Sequence, residues 1–440
     1  REITVRGYTL REGDKVMQIK NNYDVIWTKS NGEQGTGVFN GDIDKKAAEA
    51  FDFICNKLFN QKTNLIYDSK FDSESDLPTP EEISSGFPNP CGYDTGMEDG
   101  MINGATFLSA CLARLRTEKD SYSEQLAHRL VAGMQQTAYS AKKPGFLPRA
   151  VCPADGKSHY IASSVDQYTM FAYGAYIYTQ SDICTESERI AYADIMRNIC
   201  QRAKRNITRE NKYDMLREDG GESKVSKLWG EENFEFALYC RLPMFYLLTY
   251  HLTHEICWLE EYKTLRDKAI EGMRPFFPPW HVYVLQQMQC ALFVLKNLDE
   301  EQNYKKVYDK LMSEVARFAL SRTQTIAERL AEKTEFNEQT ISFRDRPLCE
   351  IPNPAWNGLN QFYTKRGDNN DTFFLMQDAA NIVLCAAMGN IALTREAADL
   401  YTKTWKKIDY SRHSRCESVH YLCAYYALKK INENETEIND

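Results

Sequence analysis

The sequence predicts an all-α protein, an (α/α)6 toroid of twelve helices preceded by a small β unit. Three observations predict it. Apolar residues change from period two to helical spacing after residue 42, one-sided and all-round apolar helices then alternate, and the long connections fall at every second link.

In chain order, residues 1–42 carry the extended runs Ile3-Thr4-Val5 and Lys15-Val16-Met17-Gln18-Ile19. The turn-forming pair Asn31-Gly32 lies between two further extended stretches. Residues 43–440 form the second expected domain, with helices over 44–61, 97–116, 121–140, 164–179, 186–206, 229–251, 254–272, 280–297, 301–320, 371–389, 393–407 and 415–432. Odd-numbered helices are amphipathic: in the ninth, Tyr304, Val307, Leu311, Val315 and Phe318 make one stripe. Even-numbered helices are apolar nearly all round, as in Phe236-Ala237-Leu238-Tyr239 of the sixth and Ile382-Val383-Leu384 of the tenth. One all-round and one amphipathic helix per hairpin is what an inner and an outer ring of six require. An α-solenoid would instead repeat a sequence unit, and none recurs. Connections before even helices are long (62–96, 141–163, 207–228, 321–370), so irregular chain gathers at one end of the ring, where binding and catalysis concentrate.

Composition narrows the function. With 54 Lys plus Arg against 62 Asp plus Glu, the net charge of -8 argues against wrapping nucleic acid. The longest apolar helices are broken by Arg241, Gln286 and Asp378, so no membrane span is expected. Thirteen cysteines without a C-x-x-C pair argue against a disulfide framework or a zinc ribbon, and reduced thiols point to the cytoplasm. The chain opens on Arg1, which leaves room for a leader peptide upstream. His251 and His254 read as groups near a helix C-terminus, and neither metal nor cofactor is expected.

Candidate site residues cluster at the long-loop end. Three even helices open with capping signatures, Thr95-Gly96-Met97-Glu98, Ser164-Val165-Asp166-Gln167 and Ser414-Arg415-Cys416-Glu417. Beside them stand Asp94, Glu98, Asp99, Asp166 and His420. A cap accounts for Glu98 and Glu417, whereas Ser164 is expected to supply the cap that frees Asp166 for chemistry. The loop before the fourth helix brings Arg149, His159 and Tyr160, cationic and aromatic groups suited to a polar or acidic substrate. Trp229, Trp280 and Trp356 fall on or beside loops entering even helices, where flat faces stack on sugar rings.

Two resemblances follow from these words. Gly13 to Asp24 (GDKVMQIKNNYD) and Val38-Phe39-Asn40-Gly41-Asp42 resemble the SH3-like insert of bacterial RecD-like helicases; this implies a helicase fragment joined to another protein, since no G-x-x-x-x-G-K-[ST] loop follows. Residues 44–432 resemble the six-hairpin glycosidase superfamily, and bacterial members above all, through Cys91-Gly92-Tyr93-Asp94-Thr95-Gly96-Met97-Glu98-Asp99-Gly100 and Ser163-Ser164-Val165-Asp166-Gln167-Tyr168-Thr169. In the unsaturated glucuronyl hydrolases of that superfamily two aspartates occupy the places of Asp94 and Asp166, although here the first stands in Tyr-Asp-Thr-Gly rather than a His-Asp motif. The resemblance implies a glycoside hydrolase acting on an oligosaccharide or polysaccharide, extending to uronate-containing glycans.

The expected mechanism uses Asp94 and Asp166 as general acid and base, with Glu98 or Asp99 raising the acid's pKa by like-charge proximity. Glu98, Asp99, Arg149, His159, Tyr160, Gln167, Trp229, Trp280, Trp356 and His420 make up the expected substrate-binding set. A polysaccharide lyase, with His159 or Tyr160 as base and Arg149 neutralising a uronate, is the first alternative. A noncatalytic sugar-binding or scaffold toroid with a nucleic-acid-binding β unit is the second.

Overall fold

The computed structural model describes residues 2–5, 8–11, 26–28, 34–36, 41–70, 73, 76–230, 234–274, 276, 281–337, 342–350, 356, 358–364 and 369–437. The chain divides into two compact units, residues 1–49 and 50–440. In the first, β1 (Glu2–Val5) pairs antiparallel with β2 (Tyr8–Arg11), Ile3 opposite Leu10, and β3 (Ile26–Thr28) with β4 (Gln34–Thr36), Trp27 opposite Gly35. The expected run over 15–19, the Asn31-Gly32 turn and most of the helicase-like words lie outside the described residues. Helix α1 (Gly41–Phe53) begins in this unit and continues as a π turn, Ile54–Leu58.

Among the described residues, the second unit has one small hairpin, β5 (Leu348–Glu350) with β6 (Phe362–Thr364), and its other named elements are helices. Its inner helices are α3 (Gly100–Glu118), α5 (Val165–Thr179), α7 (Arg241–Thr253), α9 (Tyr283–Leu298), α12 (Asn369–Met388) and α14 (Ser418–Glu437). Each packs on the next, and α14 returns to α3, which closes the ring. Outside stand α4 (Ser121–Tyr139), α6 (Glu186–Asn206), α8 (Ile256–Gly272), α10 (Gln302–Ser321) and α13 (Arg395–Lys406). Near the end of α1, Phe51 meets Phe107 of α3 and Phe53 meets Tyr410, joining this outer layer. This is the (α/α)6 toroid. Among the described residues the inner helices bury most of their side chains, as in α5, where Tyr168, Phe171, Ala172 and Ala175 are fully enclosed, so they are apolar on most sides.

Three outer helices, α4, α6 and α13, open on side-chain caps. The Asp120 carboxylate accepts from Tyr122 and Ser123 N–H at α4, and Thr185 with Glu188 forms a capping box at α6. The three signatures expected at inner helices do not close as boxes. Helix α3 starts only at Gly100, Thr95 Oγ1 instead donates to Gly92 O, and the Glu98 carboxylate accepts from Asp94 N–H. Ser164 stands at the N-cap of α5 without a side-chain capping bond, and Glu417 lies against His413, 2.8 Å away, before α14 begins at Ser418. The expected sufficiency of the Ser164 cap is therefore corrected.

Helix α7 starts twelve residues after its expected start at 229. Residues 236–238 form one 3-10 turn, and Pro243 then sits third in the helix, where its missing N–H is one of the four without an internal partner. Helix α2 (Pro80–Ser84), boxed by Thr79 and Glu82, and α11 (Thr323–Ala331) lie in expected loops. All 13 cysteines are unbridged. Among the described residues, no helix is long and apolar enough to cross a membrane.

Candidate active site

A cavity of 520 Å³ opens where the inner helices begin. Its wall comes from the chain entering α3 (Tyr93, Asp94, Glu98, Asp99), the start of α5 (Ser164, Asp166), the first turns of α9 (Tyr283, Gln286, Gln287), and Phe374, Gln377 and His420 of α12 and α14, with Ile102, Arg149 and Val225 between them.

The α3 entry is a run of tight turns. Asp94 has a left-handed backbone (φ 70°) between Gly92 (φ 68°) and Gly96 (φ 86°), a conformation that a non-glycine residue adopts only when its surroundings impose it. Asn89 Oδ1 accepts from Cys91 and Tyr93 N–H at 3.1 and 3.0 Å, and Asp94 N–H donates to Glu98 Oε1 at 2.7 Å. Behind the turns lies buried Asp68, which accepts from Glu98 N–H at 2.7 Å and Asn103 Nδ2 at 3.0 Å. Burial pushes the Asp68 carboxyl well above its usual range, and the Asp99 and Glu98 carboxylates add to the rise. The like-charge effect expected of Glu98 and Asp99 thus falls on Asp68, a residue the sequence reading passed over.

Arg149 is buried beside this turn, its Nη1 donating to Glu98 O at 3.0 Å and lying 3.6 Å from Asp99 Oδ1. Its Nη2 reaches Tyr93 Oη at 3.3 Å. Across α5, Asp166 Oδ1 accepts from Arg241 Nη1 at 2.9 Å, and the same nitrogen reaches Thr169 Oγ1 at 2.9 Å and Gln287 Oε1 at 2.7 Å. On the far helices, His420 Nδ1 meets Asn381 Oδ1 at 3.0 Å while Gln377 Nε2 donates to His420 Nε2 at 2.7 Å. A carbonyl acceptor at Nδ1 and an amide donor at Nε2 select the neutral Nδ1–H ring, in keeping with burial pushing the His420 pKa down to about 4. Phe374 and Tyr283 supply aromatic faces, both braced by His281, whose ring centroid lies 4.9 and 6.0 Å from theirs.

Of the sequence-derived residues, Asp94, Glu98, Asp99, Arg149, Asp166 and His420 line this one cavity. Five others do not. His159 is buried against Glu218, Nε2 to Oε2 3.1 Å, with Nδ1 near Lys157 O and Ser140 Oγ. Burial works against the Glu218 charge, but hydrogen bonds from His159 and from Lys142 and Lys143 N–H outweigh it and hold that carboxyl below its usual range. Tyr160 donates to Phe87 O at 2.6 Å and covers Gly92, where an added Cβ would meet its ring at 2.3 Å. Gln167 is an internal tie: its oxygen accepts from Met101 N–H and its nitrogen donates to Glu98 O and Asp99 Oδ1. Trp229 packs edge-on against Tyr239, and Trp356 forms an apolar cluster with Cys91 and Ala162 that backs Tyr93. These five were expected on the wall because they lie near it in sequence, and burial of their apolar or hydrogen-bonded bodies turns them inward. Trp280 lies outside the described residues.

The sequence reading missed Arg241, Tyr283, Gln287 and Gln377. A signal existed for three of them: an arginine or glutamine in an otherwise apolar inner helix is buried, and buried polar groups require partners. Among the described residues no three His, Cys, Asp or Glu side chains gather as a metal site.

Fold and cavity together define a class, a helical toroid whose inner-helix N-termini wall an acidic, aromatic-sided pocket. No family model matches the sequence, and no curated protein matches it. Among solved structures the chain is similar to a family 76 glycoside hydrolase from a bovine Bacteroides thetaiotaomicron strain, with a TM-score of 0.42 and 11% identity over 93% of this chain and 83% of that one.

Proposed function

We propose that the protein is a glycoside hydrolase that works with paired carboxylates, Asp94 as proton donor to the leaving oxygen and Asp166 as base for water or nucleophile at the anomeric carbon. The observation that carries the reading is that both carboxylates, from elements about seventy residues apart, line one 520 Å³ cavity with the aromatic faces of Tyr93, Tyr283 and Phe374. Carboxylates supply the proton transfers, aromatic faces take sugar rings, and the amides of Gln286, Gln287 and Gln377 offer hydrogen bonds to hydroxyls. Asp166 lines the cavity with Oδ1 held by Arg241, an arrangement suited to a base of fixed orientation.

The charge of the wall favours a neutral glycan over the uronate-containing one expected from sequence. Among the described residues, Asp94, Glu98, Asp99 and Asp166 line the cavity with one guanidinium, Arg149, already engaged with Asp99, Glu98 O and Tyr93, while Arg241 behind the wall pairs with Asp166 alone of the four. A substrate carboxylate would meet like charge there, which costs several kcal/mol when desolvated. The lyase alternative loses its base, because His159 and Tyr160 are buried away from the cavity.

A polysaccharide and glycoside panel, read by reducing-end release, tests the reading. Asp94→Asn and Asp166→Asn are each expected to lower turnover at least about 10²-fold while folding and glycan affinity persist. Glycan binding without turnover in the wild-type protein would assign the toroid to the noncatalytic alternative, and an unsaturated product absorbing in the near ultraviolet would make it a lyase.

A further inference from the structure

Arg241 is fully enclosed, yet its hydrogen bonds are concentrated on one nitrogen. Nη1 holds Asp166 Oδ1, Thr169 Oγ1 and Gln287 Oε1, whereas Nε has only a long contact to Ala237 O at 3.4 Å and Nη2 has no hydrogen-bond partner among the described residues. A guanidinium buried only to brace helices would distribute its five N–H groups over the acceptors around it. This one directs its bonding to α5 and α9, and two of its three partners line the cavity.

The consequence is fixed polarity. Asp166 Oδ1 is occupied, so Oδ2 is the oxygen left to accept from a ligand. Gln287 Oε1 is occupied, so its Nε2 is the end left to donate. Because one nitrogen holds both residues, at 2.9 and 2.7 Å, the remaining ends belong to one small region of the wall. A hydroxyl group both donates and accepts, and it is the ligand group that satisfies such a pair.

We propose that Arg241 is a positioning residue that presets an acceptor, Asp166 Oδ2, beside a donor, Gln287 Nε2, for a single sugar hydroxyl. The hydroxyl rests on the glycoside hydrolase reading, and the presetting of the two side chains does not. Arg241 touches no substrate, since Asp166 and Gln287 stand between it and the cavity.

The test uses the full chain with Arg241→Met, Arg241→Lys, Asp166→Asn and the double variant Arg241→Met with Asp166→Asn. In the crystal structure of Arg241→Met, the Asp166 carboxylate and the Gln287 amide are expected to leave their positions or to adopt more than one orientation. Both staying in place overturns the proposal, and this arm needs no substrate. On a glycan that the wild-type protein cleaves, Arg241→Met is expected to lower kcat at least about tenfold, and the double variant to be no slower than Asp166→Asn alone within about twofold. Effects that multiply instead overturn action through Asp166. Arg241→Lys keeps the charge, but its compact ammonium does not reproduce the guanidinium's geometry toward three acceptors. It is expected to fold and to raise KM at least about threefold. Wild-type kcat and KM in Arg241→Lys overturn the proposal even if Arg241→Met fails to fold. Absence of turnover in the wild-type protein defeats the hydrolase reading and leaves the crystallographic arm to decide the positioning role.

Discussion

The carboxylate of Asp378, on α12, accepts the backbone N–H of Val282 at 2.7 Å and so caps the start of the neighbouring inner helix α9. It also receives Tyr283 N–H at 3.3 Å and lies 3.0 Å from His281 Nδ1, so one buried side chain sets the place of Tyr283 and of the His281 ring that braces Phe374. Removing it by Asp378→Ala leaves buried donors without a partner. Urea unfolding is expected to show a loss of about 1–3 kcal/mol, with Asp378→Asn losing less because its amide oxygen still accepts.

His420 makes stability depend on pH. Its folded pKa, about 4, lies below the usual 6.5, so between those values the unfolded chain binds the proton and the folded one does not. The contribution is complete above pH 6.5 and is lost as pH falls toward 4, on the order of 3 kcal/mol in all. Unfolding free energies measured from pH 7 to 5 are expected to fall less steeply for His420→Gln than for the wild-type protein.

Gly145 opens the segment that carries Arg149, with φ 79° and an ideal Cβ only 2.1 Å from Asn198 O. Both the backbone conformation and the space exclude a side chain. Gly145→Ala is expected to destabilise by about 1–3 kcal/mol in denaturant titrations, since the atom in the way is backbone.

Trp356 is 1% exposed and closes the cluster behind Tyr93. Trp356→Ala is expected to cost about 3–5 kcal/mol, and Trp356→Phe clearly less, by thermal or chemical unfolding. The larger deletion also frees Tyr93, so glycan affinity is expected to drop with it.

Deleting residues 1–42 is expected to leave a cooperative helical unfolding transition, because the ring buries its own core through the closed contact of α3 with α14. Circular dichroism on heating checks this, and a noncooperative or insoluble product would show that the β unit is integral.

Much of the ring was legible because it rests on local pattern. Of the expected α10 stripe, Leu311 and Val315 are buried and Tyr304, Val307 and Phe318 half-buried, and both this stripe and the largely apolar surface of α5 follow from neighbours three or four residues apart. The start of α7 was missed although its signal was present: Pro243 belongs in a first turn, not in the interior that a start at 229 would give it. Helix α11 was missed because its apolar residues, Ile326 and Leu330, make one short stripe inside a long polar stretch.

What the sequence alone determined is the twelve helices of the two rings, their alternation between buried and one-sided, and hence the end of the ring where carboxylates and long loops meet. Hydrophobic periodicity reports burial, and burial of alternate helices admits few architectures. Only the tertiary structure decided which side chains at that end face the cavity. Asp166 and Gln167 are adjacent, yet one lines the pocket and the other is sealed beneath Glu98 and Asp99. A helix turns about 100° per residue, so neighbours face different partners, and those partners come from distant chain. Arg241 meets Asp166 across 75 positions, a contact that no local pattern encodes and that exists only once α5 and α7 stand side by side in the ring.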